Sequence, residues 1–251
     1  MAAGGETRVT NGLRTLTFAE AIKASSSLGK LSTGSEALDA LLGGGFEEAK
    51  ITEVFGPSNS GKTQLAIQAT VMAATRGWRS VYVDTESTFR PERVEQIARA
   101  RGIDAEAALA SIYSVRAKDV QAQTAVLRKM AEDPRVSPAK LVVVDTVTKN
   151  FTLEYPGRDR MARRQGALGA YLNRVAIDAY SNRRVVLLAN RVASVPRDGS
   201  SQDVDLGGIT LRKFVSKSLR LRREGPDVLA RVELPEAGRP VKCHLSERGF
   251  E

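Results

Sequence analysis

A lysine and a threonine directly after a glycine, with a second glycine upstream, are residues able to hold a polyphosphate. The segment Gly56-Pro57-Ser58-Asn59-Ser60-Gly61-Lys62-Thr63 places them at the spacing of a phosphate-binding loop. Glycines let the backbone wrap around phosphate, so that successive N–H groups point inward. A helix that follows presents its positive end to the anion. Lys62 then reaches the terminal phosphates as a point charge and the Thr63 hydroxyl ligates Mg²⁺. Gln64, next in the chain, belongs with the binding residues. The competing reading is a chance glycine-rich turn, against which the flanking strand and helix signals count. The chemistry implied is binding of a nucleoside triphosphate, ATP, together with Mg²⁺.

Three further polar residues close apolar, strand-like runs. Asp145 ends Leu141-Val142-Val143-Val144, at the sheet edge where open α/β folds bind ligands. It is placed to support Mg²⁺ directly or through water; otherwise it caps a helix before Thr146. Glu86 lies just past Val81-Tyr82-Val83-Asp84, where a carboxylate could polarise a water for attack on the γ-phosphate. A surface glutamate fits that position equally well. Asn190 ends Val185 to Ala189 and could sense the γ-phosphate by hydrogen bonding, or be a simple turn residue.

The elements needed to position these groups are legible. Ile51 to Phe55 reads as a buried strand entering the loop, and Lys62 to Arg76 as a helix with a stripe through Leu65, Ala69 and Met72. Strands are expected at Ser80 to Val83, Ser111 to Val115, Leu141 to Asp145 and Val185 to Ala189. Between them lie helices at Pro91 to Arg101, with proline in the first turn, at Asp119 to Glu132, with Asp119 as cap, and at Met161 to Tyr180. This alternation predicts an α/β fold, a mostly parallel sheet flanked by helices on both faces. After Gly207, Ser218 to Arg222, Val228 to Leu234 and Val241 to Leu245 predict antiparallel strands at one edge. Residues 1–30 read as an N-terminal arm with a small helix near Thr17 to Ala24, and residues 31–251 as one core domain.

Composition narrows the class. Of 251 residues, 42% are hydrophobic and 27% charged, an ordinary globular balance. A single cysteine, Cys243, and a single histidine, His244, exclude an internal disulfide and any Cys- or His-rich metal site. Neither a signal core nor an apolar run long enough to span a bilayer is present, so a cytoplasmic, nucleoid-associated protein without a membrane partner is expected. Residues 146–225 hold 16 Lys/Arg against 7 Asp/Glu, an excess equal to the whole net charge of +9. A localised basic stretch points toward nucleic acid, although a solvated arginine-rich surface would look the same.

Together these residues resemble the RecA-type recombinase family, in its archaeal RadA and RadB branch. The resemblance covers nearly all of residues 28–251. It rests on Leu31-Ser32-Thr33-Gly34-Ser35, Leu38 to Gly45, the phosphate loop, Val83-Asp84-Thr85-Glu86-Ser87-Thr88-Phe89-Arg90-Pro91-Glu92-Arg93, Leu141 to Asp145, Leu188-Ala189-Asn190 and Gly207-Gly208. The resemblance implies a RecA-like ATPase core in which Glu86 activates water, Arg93 stacks on adenine and Asn190 links nucleotide to DNA-binding loops. It places the first loop around Tyr155 to Arg164, with Arg158, Arg160, Arg163 and Arg164, and the second around Val192 to Gly208, with Arg197. Arginines there would grip the backbone of single-stranded DNA, with double-stranded DNA as a further ligand.

The sequence also departs from that family. Only about 30 residues precede Leu31, which favours RadB or another short paralogue. Arg191 follows Asn190 where many members have glutamine, and Asp198, Asp203 and Asp205 weaken the second loop's attraction for phosphate. Lys213 and Phe214 stand near where others carry a histidine after Gly208. Slow ATP hydrolysis is therefore expected. In the arm, Phe18-Ala19-Glu20-Ala21 matches the Phe-x-x-Ala pattern by which members dock onto a neighbouring protomer or a RadA-type recombinase; local packing of Phe18 competes with that reading. The leading expectation is an ATP-dependent recombinase paralogue of recombination and repair. Its rivals are a mediator using ATP only as a switch and an unrelated phosphate-loop kinase.

Overall fold

Leu141 to Val144 carries no polar side chain because both faces of its strand are covered. Leu141 and Val143 point into one apolar cluster with Leu65, Ile67, Val94 and Ile97. Val142 and Val144 point into another with Phe151, Leu168, Leu172 and Val175. The two-residue alternation of a strand thus feeds two cores, one on each face of a single sheet.

The computed structural model describes residues 27–197 and 200–251, with the backbone alone for 193–205. In chain order its elements are β1 (Lys30–Leu31), α1 (Glu36–Leu41), β2 (Phe46–Glu47), β3 (Lys50–Gly56), α2 (Lys62–Ala74), β4 (Ser80–Asp84), α3 (Pro91–Ala100), α4 (Ala105–Ala110), β5 (Ile112–Arg116) and α5 (Val120–Glu132). They continue with β6 (Leu141–Asp145), α6 (Lys149–Glu154), α7 (Met161–Asn182), β7 (Val185–Arg197), β8 (Ser200–Asp205), α8 (Gly208–Arg212), β9 (Lys217–Glu224), β10 (Asp227–Leu234), β11 (Val241–Ser246) and β12 (Gly249–Phe250). The main sheet has the order β12-β11-β10-β9-β3-β7-β6-β4-β5, with β8 paired to β7. The run from β9 to β5 is parallel, and β10, β11 and β12 extend it antiparallel. This is the expected architecture.

Register brings the chemistry together. Asp84 is opposite Asp145, Asp145 opposite Ala189, and Gly56 opposite Arg191. The carboxyl ends of β3, β4 and β6 therefore finish at one level, beside Asn190 and Arg191 of β7, where an open α/β sheet forms its crevice.

Local signals set the element ends. Asp119 caps α5 by accepting from Ala122 N at 2.7 Å. Asp104 likewise caps α4, accepting from Glu106 N and Ala107 N. Helices α4 and α6, six residues each, are too short to show a helical period, and no expectation covered them. Strand β7 runs on to Arg197 and turns back as β8, where the sequence suggested a loop beyond Asn190. The expected arm helix, with Phe18 and Ala21, lies outside the described residues. Among the described residues no helix is long and apolar enough to cross a membrane.

Candidate functional site

The turn from β3 into α2 requires its glycines. Gly61 holds φ +99°, and a Cβ there would fall 2.7 Å from the Phe250 ring. At Gly56 a Cβ would fall 2.1 Å from the carbonyl oxygen of Leu221 on β9. Backbone at this loop is thus threaded against the neighbouring strand with no room for a side chain.

Lys62 is 8% exposed and folds over its own loop. Its Nζ donates to the carbonyls of Gly56 at 3.0 Å and Pro57 at 2.6 Å, and to Ser60 Oγ at 3.4 Å. Burial lowers its pKa, Asp145 opposes that shift, and the positive charge of Arg191 adds to it. One residue on, Thr63 Oγ1 donates to Asp145 Oδ2 at 2.7 Å, and Tyr82 Oη donates to the same oxygen at 2.8 Å. Asp145 is 1% exposed; burial raises its pKa while these two hydrogen bonds hold it down. Tyr82 is pushed well above the ordinary phenol value by the same burial and by Asp145.

Glu86 is positioned by Asp84, which the sequence reading did not single out. Asp84 Oδ1 accepts from the amides of Glu86 (3.0 Å), Ser87 (2.7 Å) and Thr88 (3.2 Å), and Oδ2 accepts from Phe89 N (3.1 Å). A buried aspartate at a strand end followed by small polar residues is the signal that could have revealed it. The Glu86 carboxylate takes a hydrogen bond from Thr146 Oγ1 at 2.8 Å on Oε1 and an ion pair from Arg191 Nη2 on Oε2.

These groups line one cavity of about 390 Å³. Ser58, Asn59, Gly61, Lys62, Thr63 and Gln64 form its floor; Asp145 joins the lining from the end of β6 and Glu86 from just past β4, with Thr146 between them. Arg191 and Arg223 complete it from the strands on either side of β3. Asn190 is not on this wall. It is fully buried, its Nδ2 donating to Glu53 Oε1 (2.8 Å) and its Oδ1 accepting from Thr148 Oγ1 (2.7 Å). Arg93 is also outside the lining: Nε donates to Gln64 Oε1 at 2.6 Å and Nη2 to the Ser246 carbonyl at 2.7 Å.

The basic candidates lie elsewhere on the surface. Arg158 and Arg160 are exposed between α6 and α7, while Arg163 and Arg164 stand on the first turn of α7 itself. Arg164 donates to the Tyr155 carbonyl at 3.2 Å. The side chain of Arg197 lies outside the described residues.

This phosphate loop, the buried aspartate on the strand two places away and the Glu86 segment all fall within a match to a known family. A profile of the Rad51 family matches residues 24–223. The chain belongs to the Rad51 family. The chain is also similar to the "DNA repair and recombination protein RadA" of Aeropyrum pernix, 42% identical over 173 residues. The aligned part covers 66% of this chain and 54% of that protein, so the chain spans about half the length of the curated relative it matches. The matched region of this Rad51-family chain takes in the whole cavity floor, Glu86, Asp145 and both cavity arginines.

Proposed function

We propose that the chain is a DNA-binding, Mg²⁺- and ATP-dependent ATPase of homologous recombination and repair, a RadB-like paralogue with slow turnover that acts in the cytoplasm at the nucleoid. The observation that carries this reading is the convergence of Lys62, Thr63, Asp145 and Glu86 on one cavity in a Rad51-family chain. The donor set fits a triphosphate with Mg²⁺: a loop of amides, one lysine, and a hydroxyl beside a carboxylate, all hard oxygen or cationic groups. Among the described residues no cluster of three His, Cys, Asp or Glu could hold a metal alone. That suits Mg²⁺, which is held by one or two protein oxygens plus phosphate. Bound Mg²⁺ would neutralise charge on the terminal phosphates, with Thr63 and Asp145 holding it. Lys62 would leave its loop carbonyls for phosphate, and Glu86 would accept the hydrogen bond of an attacking water. For Arg93 and Asn190 we retain roles in seating adenine and in relaying the state of the site to the hairpin that follows.

For DNA, the support is electrostatic. Helix α7 is 22 residues long and has no acidic residue in its first turn, where Arg163 and Arg164 sit behind exposed Arg158 and Arg160. Cations at a helix N-terminus are unfavourable by themselves, and a phosphodiester backbone would relieve them. Arg197 would add to this surface. Phe18 and Ala21 are proposed to dock on a second copy or on a RadA-type recombinase. In support, β5 is an edge strand among the described residues, flanked by a cleft with Val81, Ile112, Val126 and Met130.

A mediator that uses ATP only as a switch is the second reading, favoured by the Arg191 contact on Glu86. Phosphate release from ATP with Mg²⁺, measured with and without single-stranded DNA, separates the two. Slow release that DNA stimulates supports the ATPase; DNA binding with negligible release supports the mediator; no DNA binding sinks both.

A further inference from the structure

The Arg191–Glu86 ion pair crosses the cavity proposed to hold the triphosphate, and its two ends are held very differently. Glu86 is anchored. Its backbone amide is bound to Asp84, its Oε1 takes the Thr146 hydroxyl, and its side chain is only 11% exposed. Arg191 is half in solvent, with a side chain 51% exposed. A disturbance of the pair therefore moves the arginine and leaves the glutamate in place.

The strand register supplies the second observation. Arg191 is the direct partner of Gly56, so it leaves the sheet at the level where the phosphate loop begins. It lines the same cavity as Lys62 and Thr63. Two cations therefore share this space and repel each other across it. An anion between them would remove that repulsion.

Chemistry supplies the third. With a donor on each oxygen, the Glu86 carboxylate is less available to a water. A guanidinium prefers a polyanion with several oxygens in its plane over one carboxylate already shared with a hydroxyl.

Resting on the nucleotide reading above, we infer that Arg191 is a two-position phosphate sensor, which caps Glu86 when no terminal phosphate is present and exchanges that contact for the γ-phosphate of a bound triphosphate. The exchange frees Glu86 only when a γ-phosphate is there to be attacked. A diphosphate leaves the cap closed. Arg191 is thus a specificity residue for triphosphate over diphosphate, and Glu86 competes with the ligand for it.

The test is binding, which requires no turnover. Mg²⁺ adenylyl imidodiphosphate and Mg²⁺ ADP are titrated calorimetrically into the wild-type chain, Arg191→Ala, Glu86→Gln and the double variant. Arg191→Ala should weaken the triphosphate analogue about ten-fold, the scale of a lost charge-assisted hydrogen bond, with a much smaller change for ADP. Glu86→Gln removes the competing charge and should tighten the analogue about five-fold, since less of the arginine is held away from the ligand. That gain should vanish on the Arg191→Ala background. Arg191→Gln provides a second variant of preserved bulk should the alanine variant misfold. Equal weakening of both nucleotides by loss of Arg191, or a Glu86→Gln gain that persists without Arg191, overturns the sensor while leaving the site a nucleotide site. A wild-type chain that binds neither nucleotide overturns the nucleotide reading, and the sensor with it.

Discussion

On one wall of the cavity Asp145 is 1% exposed and takes two neutral hydroxyl donors, Thr63 and Tyr82. On the other, Glu86 takes one hydroxyl and one guanidinium, and the arginine that carries it is half in solvent. The first wall is a closed network whose members have few other positions to adopt. The second is a contact between an anchored carboxylate and an exposed cation. Electrostatic catalysis profits from groups that need no reorganisation, and control profits from groups that do. In the function proposed above, the cavity would divide these duties between its walls: holding phosphate and metal on the Lys62–Asp145 side, deciding on turnover on the Glu86–Arg191 side.

The largest expected effect lies on the holding wall. Lys62→Ala removes the one cation that bridges the loop carbonyls and would meet the terminal phosphates. Binding of Mg²⁺ ATP should weaken at least about 100-fold, roughly 2.7 kcal/mol, by fluorescence or calorimetric titration. A loss as small as that for Arg191→Ala would mean that the walls are not divided as described.

A smaller effect of opposite sign sharpens the comparison. Burial raises the pKa of Asp145, so its charged form is the one that burial makes costly in the fold. A carboxyl whose pKa is higher folded than unfolded stabilises the fold most when protonated, and that stability is lost as pH rises through its folded pKa. Metal-free Asp145→Asn keeps an oxygen for Thr63 and Tyr82 and loses the charge. It should therefore melt higher than the wild type at pH 7, by about 2–4 °C for ~1 kcal/mol in a chain of this size. The difference should shrink as the pH falls through the raised pKa toward the usual carboxylate range. A variant that melts lower at pH 7 would show that the buried charge stabilises the fold.

Much of this was legible from residue order. Unbroken apolar runs such as Leu141 to Val144 announce strands buried on both faces, and the glycine spacing of the loop states its own chemistry. Lys62, Thr63, Glu86 and Asp145 all reach the predicted cavity. What escaped depends on distance in space. The small polar residues after Asp84 hint at a turn, but not that its carboxylate collects four amides. Nothing local to Arg191 reveals a partner 105 residues away. The hairpin of β7 and β8 escaped because polar, alternating residues serve a loop as well as a strand. Asn190 illustrates the converse: it lies within β7 and not at its end, and strand alternation turns its side chain inward to Glu53 and puts Arg191 on the cavity wall.

The division between holding and turnover is tested most directly by Glu86→Gln, with ATP binding and phosphate release measured on one preparation containing Mg²⁺ and single-stranded DNA. The variant should bind ATP at least as tightly as the wild type and release phosphate slower by about 10²–10³-fold, the usual contribution of a positioned general base. Release at the wild-type rate, or loss of ATP binding in step with release, would contradict the assignment of turnover to this wall.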